Sequence, residues 1–160
     1  MPPLILCEKT SRWAIAFSVA AGRRPLPLVE TRSLVQCEAA LAASPAALVA
    51  VEATPANLAA LIELSLRIAE RYPRARWAGL LSPETSTAAS LLREAGAIEV
   101  LENTLDAPRL LRLARRHAAR VPQPPLGLRE SIFRRLPWPA ASGSPRQPAA
   151  QDSVTDPSPR

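Results

Sequence analysis

The chain has 160 residues, of which 48% are hydrophobic and only 4% aromatic, and it carries a formal net charge of +6. That length fits one domain plus an appendage, with a core of Leu, Ala, Val and Ile. Two cysteines and one histidine exclude a disulfide scaffold and a metal cluster.

The chain opens with the apolar run Leu4-Ile5-Leu6-Cys7, which predicts a buried strand ending at Glu8 and Lys9. Thr10 or Ser11 is positioned to cap a helix over 12–21, which Gly22 stops. A second strand is expected over 26–30, on a sheet edge, because Pro27 inside it cannot donate to a ladder. Ser33 and Gln36 have capping-box spacing at the start of a helix reaching Ala43. The third strand, over 47–51, is apolar on both faces, as a central parallel strand is, and Glu52 follows it. Thr54-Pro55 predicts an N-cap with proline at the first position of a helix ending at Arg71, before Pro73. A fourth apolar strand over 77–81 ends at Ser82-Pro83, and a helix over 86–95 closes at Gly96. The fifth strand covers 97–101, with Glu99 facing solvent. Asp106 is the expected cap of a last helix with Pro108 in its first turn.

Regular alternation of strand and helix predicts a parallel sheet covered on both faces, with right-handed crossovers. Strands 2 and 5 read as edges and strands 1, 3 and 4 as buried, which fits the flavodoxin-like order 2-1-3-4-5. This domain is expected over 1–121. Residues 122–160 form a Pro-rich tail, expected to be largely disordered beyond about Ala140. Within it LGLRESIFRRLPW, residues 126–138, places Leu128, Ile132, Phe133 and Leu136 on one side of a short amphipathic helix that ends near Trp138.

Charge is unevenly spread. Residues 1–106 hold ten basic and eleven acidic side chains, whereas 107–120 hold five arginines and no acid. Arg109, Arg112, Arg116 and Arg120 lie along one stripe of the last helix, beside Arg115. The stripe reads as a solvated face or as a surface for an acidic protein. Nucleic acid is the weaker alternative, because the helix offers no aromatic ring for stacking on bases.

The element order and spacing, with the pattern GA–strand–T-hydrophobic-D-x-x-x-Leu-Leu near the end, resemble the receiver domain of two-component response regulators over residues 4–120. The resemblance implies a site at the carboxyl edge of the sheet. An acidic pair follows strand 1, a phosphorylated aspartate ends strand 3, a Thr or Ser ends strand 4, and a lysine ends strand 5. The matching positions here are Glu8 and Lys9, Glu52, Ser82 and Asn103, of which only Ser82 keeps the family's residue type. Phosphotransfer in that family needs Mg²⁺ held by carboxylates and water. Lys9 puts a cation where a carboxylate belongs, and Asn103 removes a point charge from the phosphoryl oxygens. The expectation is a degenerate pocket, no cofactor and no catalysis, with Lys9 paired to Glu52 and Glu8 in place of the ion. A phosphorylatable regulator with an atypical acceptor at Glu52 is the alternative.

No G-x-G-x-x-G or Walker loop is present, and Lys9-Thr10-Ser11 reads as an ordinary helix start before it reads as a phosphate cradle. His117, among arginines near a helix end, is expected to be structural. The run 13–21 is too short to span a bilayer. The order of strand, then basic residues, then apolar run is wrong for a signal peptide, and LILC has Leu6 where a lipobox needs a small residue. Cys7 and Cys37 read as small buried hydrophobes in a reducing cytoplasm. The expected partner is a protein (a kinase, a regulator or a second copy), engaged by the last helix, the arm with Ile132, Phe133, Leu136 and Trp138, or both.

Overall fold

The computed structural model describes residues 1–122. Five strands, β1 Leu4–Cys7, β2 Leu28–Thr31, β3 Leu48–Ala53, β4 Arg76–Leu81 and β5 Glu99–Leu101, form one parallel sheet in the order β2-β1-β3-β4-β5. The helices are α1 Arg12–Ala21, α2 Leu34–Ala43, α3 Leu58–Arg71, α4 Ala89–Glu94 and α5 Ala107–Arg120. This is the flavodoxin-like (βα)5 arrangement expected from the alternation.

Alternation along each buried strand divides the core into two layers, because successive side chains leave opposite faces of a sheet. Leu4, Leu6, Leu48, Ala50, Leu80 and Leu101 pack under α1 and α5, against Trp13, Phe17 and Leu110. Ile5, Cys7, Val49, Val51 and Trp77 pack under α2, α3 and α4, against Leu41, Leu64 and Leu92. Gly79 sits where α4 crosses β4. A Cβ there would lie 2.6 Å from Leu92 Cδ1, so the glycine is what permits this close approach. Gly96 has a φ of 93° and ends the α4 turn in a conformation that costs glycine little.

Several boundaries differ from the sequence expectation. β2 starts after Pro27, whose carbonyl instead accepts the Leu4 amide at 2.8 Å. β3 continues to Ala53, so Glu52 lies inside the strand, opposite Leu80 of β4. β5 is limited to three residues, the stretch that meets β4. Thr54 does not cap α3: residues 54–57 close a turn in which Asn57 Oδ1 accepts the Thr54 amide at 2.8 Å, and the helix begins at Leu58. The helix expected over 86–95 is a 3₁₀ segment, Pro83–Ala88, followed by the short α4. Its Ser and Thr side chains compete for backbone partners, which weakens the α form. Ser33 Oγ does accept the Gln36 amide at 3.2 Å, but the Gln36 side chain reaches back to the Arg32 amide, one residue further than in a capping box.

Candidate functional site

The parallel sheet brings the carboxyl ends of all five strands to one rim. Glu8, Glu52, Ser82 and Asn103 all stand along that rim. Glu8, Lys9 and Glu52 meet there. Ser82 and Asn103 are engaged locally, with partners of their own.

Glu8 is only 3% exposed. Its Oε2 accepts the Trp13 amide at 2.9 Å and its Oε1 accepts the Ala14 amide at 2.7 Å. A carboxylate from outside the helix therefore caps α1, satisfying two orphan donors and complementing the positive end of the helix dipole. The expected hydroxyl cap is absent. Ser11 has a φ of 57° and makes no side-chain cap; its hydroxyl meets Arg32 instead. Arg32 also donates to the Glu8 carbonyl at 3.2 Å and to Glu30 Oε2 at 3.2 Å, tying β2 to the loop after β1.

Glu52 is 7% exposed. Its Oε1 accepts from the Arg12 guanidinium at 3.1 Å and its Oε2 from the Lys9 backbone amide at 3.3 Å. The cation that meets Glu52 is thus Arg12, not the Lys9 side chain, which is exposed and makes no ion pair among the described residues. The backbone at Lys9 turns its amide toward Glu52, and α1 then carries Arg12 one turn back over the rim. The Glu52 carbonyl accepts Asn57 Nδ2 at 2.8 Å, anchoring the turn after β3.

Ser82 opens the 3₁₀ segment and shares a 3.1 Å hydrogen bond with Thr85. Thr85 is buried, and its hydroxyl donates to the Ala53 carbonyl at 3.0 Å, linking the ends of β3 and β4. Asn103 Oδ1 accepts the Leu105 amide at 3.0 Å, so Asn103, not Asp106, supplies the side-chain cap before α5. Arg12, Arg32, Asn57 and Thr85 were absent from the sequence reading. Only Thr85 had a usable signal, its S-x-x-T spacing from Ser82.

Each of the four oxygens of Glu8 and Glu52 already accepts a protein donor, and a guanidinium stands beside Glu52. Mg²⁺ demands near-octahedral oxygen ligation and tolerates no cation in its inner sphere. This donor set does not fit it. Beside the pair a cavity of about 210 Å³ is lined by Cys7, Lys9, Arg32, Leu34, Glu52 and Thr54. Cys7 lies against Cys37, and both thiols are free and buried. The hydrogen bond from Cys37 lowers the Cys7 thiol to about 7, helped by Thr31 and opposed by burial and by the charges of Glu52 and Glu8. The same hydrogen bond, with burial, pushes the Cys37 thiol up.

On α5, Arg109, Arg112, Arg116 and Arg120 are all exposed. Arg109 pairs with Glu99 at 3.0 Å, and Arg115 donates to the Arg24 carbonyl at 3.0 Å. His117 Nε2 lies 2.8 Å from the Ala46 carbonyl, a structural tie between α5 and the start of β3. Ile132, Phe133, Leu136 and Trp138 lie outside the described residues. Among the described residues no helix is long and apolar enough to cross a membrane.

The chain has the fold of response-regulator receiver domains. It is similar to a response regulator from Thermotoga maritima, with a TM-score of 0.58 and 18% identity over 74% of this chain and 99% of that one. A CheY-like protein (TadZ) from Pseudomonas aeruginosa PAO1 superposes with a TM-score of 0.55 and 17% identity, over 78% of this chain and 100% of that one. A chain described as pilus assembly-related, from Burkholderia pseudomallei K96243, gives 0.55 and 23% identity, over 77% and 93%. At these identities the likeness concerns the fold. No family model and no curated protein matches the sequence.

Proposed function

We propose that this chain is a non-catalytic receiver-like module that works by contact with a protein partner, with a phosphoacceptor pocket that no longer runs on phosphorylation. The observation that carries the reading is the Arg12–Glu52 ion pair, 3.1 Å long, at the position where the fold's acceptor carboxylate stands. A guanidinium is paired with that carboxylate, and Glu8 spends its charge on the first turn of α1. Two further departures point the same way. Glu52 is one methylene longer than aspartate, which moves its oxygens off the in-line path. Asn103 leaves the rim without the lysine that would meet phosphoryl oxygens.

The partner surface in this reading is α5, the arm bearing Ile132, Phe133, Leu136 and Trp138, or both. One structural relative is described as pilus assembly-related. A receiver fold used as a part of an assembly is the kind of role proposed here.

The test is incubation of the full chain with acetyl phosphate and Mg²⁺, read by intact-mass and peptide mass spectrometry. The expected result is no acyl phosphate and no binding of beryllofluoride. A stable adduct on Glu52 would overturn the silent pocket and restore a phosphorylatable regulator. Copurification of full-length chain against a form ending at Val121 then locates the contact: a partner lost on truncation belongs to the arm, and one retained belongs to the domain.

A further inference from the structure

The arginines of α5 do not form one surface. Arg109 is paired with Glu99, and Arg115 lies elsewhere, against the Arg24 carbonyl. Arg116 and Arg120 face the start of β4, where with Arg74 and Arg76 they line a groove of about 450 Å³. The groove lies at the amino-terminal rim of β4, the opposite end of the sheet from Glu52. Among the described residues no carboxylate lines it. None of these four arginines makes an ion pair among the described residues. Ile98, which is 42% exposed, and the half-buried Leu113 add an apolar strip.

The walls are held in place. His117 is bonded to the Ala46 carbonyl, and the Arg76 guanidinium donates to the carbonyls of Pro73 and Ala75 at 2.9 and 2.8 Å. Guanidinium groups gathered without counter-charge repel one another, and a multiply negative ligand relieves that repulsion. We infer that this groove docks an acidic segment of a partner protein, whose carboxylates meet the arginines while an apolar side chain lies on Ile98 and Leu113.

Three features select this occupant. Arginine forks match carboxylates in bidentate geometry and are favoured at the centres of protein interfaces. The apolar strip suits a side chain, and among the described residues no Phe, Tyr or Trp lines the groove to stack on a base, while the His117 ring is held on the Ala46 carbonyl. The chain's own residues 123–160 carry five arginines against three acids, the wrong sign for this site. The inference names the partner chemistry for the contact reading above, and it does not depend on the pocket at the other rim being silent.

The test uses a fluorescent peptide of glutamates around a central leucine, titrated into the full chain by anisotropy. Binding that weakens as salt is raised is expected. R116E/R120E, and separately Arg74→Glu on a different element, should weaken it by about tenfold or more. R112E, the same change of charge as Arg74→Glu but at an exposed arginine outside the groove, should change it less than about twofold. Circular dichroism of each variant separates lost binding from lost folding. No binding by the wild-type chain overturns the inference. So does an R112E effect as large as that of Arg74→Glu, which would mean attraction to net charge alone. Tighter binding of a mixed single-stranded oligonucleotide, lost on the same groove variants, overturns it in favour of nucleic acid. Phosphorylation of Glu52 in the acetyl phosphate experiment would overturn the silent pocket and leave the groove standing.

Discussion

The Arg12 guanidinium and the Lys9 amide each hold one oxygen of Glu52, at 3.1 and 3.3 Å. The carboxylate is almost fully buried, while the Arg12 side chain is 54% exposed. The pair is therefore asymmetric: solvent screens the cation and not the anion. Arg12→Ala is expected to destabilise the fold by about 1 kcal/mol, at the upper end for a pair with one exposed partner, because a buried carboxylate loses its counter-charge. Urea denaturation at low and high salt measures it. A loss that does not shrink with salt would assign Arg12 a packing role.

Glu8 should matter more than Glu52 to stability, since it satisfies two helix amides in a buried setting. Glu8→Ala orphans both and is expected to cost about 1–2 kcal/mol, and Glu8→Gln, which keeps one acceptor oxygen, roughly half of that. Near-ultraviolet dichroism reports the effect locally, because Trp13 donates one of the two bonds. Equal stability of Glu8→Ala and wild type would mean that water replaces the cap.

Gly79 and Leu92 form a packing pair. Gly79→Ala forces the buried Leu92 side chain to move and is expected to cost about 1–3 kcal/mol. Leu92→Ala alone leaves a cavity, at about 2–5 kcal/mol. The double variant should cost clearly less than the two single losses together, since each change makes room for the other. Strict additivity in denaturant midpoints would show that the two sites do not press on each other.

The thiols provide a pH-dependent readout. A thiolate is the nucleophile, and Cys7, lowered to about 7, gains thiolate as pH rises through that value. Alkylation of the folded chain should therefore mark Cys7 increasingly from pH 6 to pH 8, slowly because the site is buried. Cys37, pushed up, should stay unmodified until the protein unfolds. Peptide mapping after iodoacetamide decides it, and preferential labelling of Cys37 would reverse the direction of the hydrogen bond between them.

The fold was legible because its signals are local and repeated. Apolar runs such as Leu4–Cys7 and the segment before Glu52 are buried on both faces, and Pro27 marks an edge whether or not it lies inside the strand. Boundaries were less legible where a side chain chooses between partners. Thr85 turns to the Ala53 carbonyl, a residue 32 positions away, and the helix that ETST would have entered becomes 3₁₀. Asn57 spends its amide on Glu52 and Thr54, which delays α3.

The site divides the same way. Which residue types stand at the ends of the strands follows from the order of the chain, and Glu8, Glu52, Ser82 and Asn103 can be assigned to one rim once five parallel strands are counted. Which cation meets Glu52 does not follow. Lys9 adjoins Glu8 in the chain and stands where the resemblance places an acid, yet the backbone presents its amide to Glu52, and Arg12 arrives from the first turn of α1. The four arginines around the groove likewise come from two regions about forty residues apart, and only the packing of α5 against the sheet brings them together. Periodicity is a property of neighbours along the chain. Charge pairing is decided by distances of a few ångströms in space, and those exist only after the chain has folded.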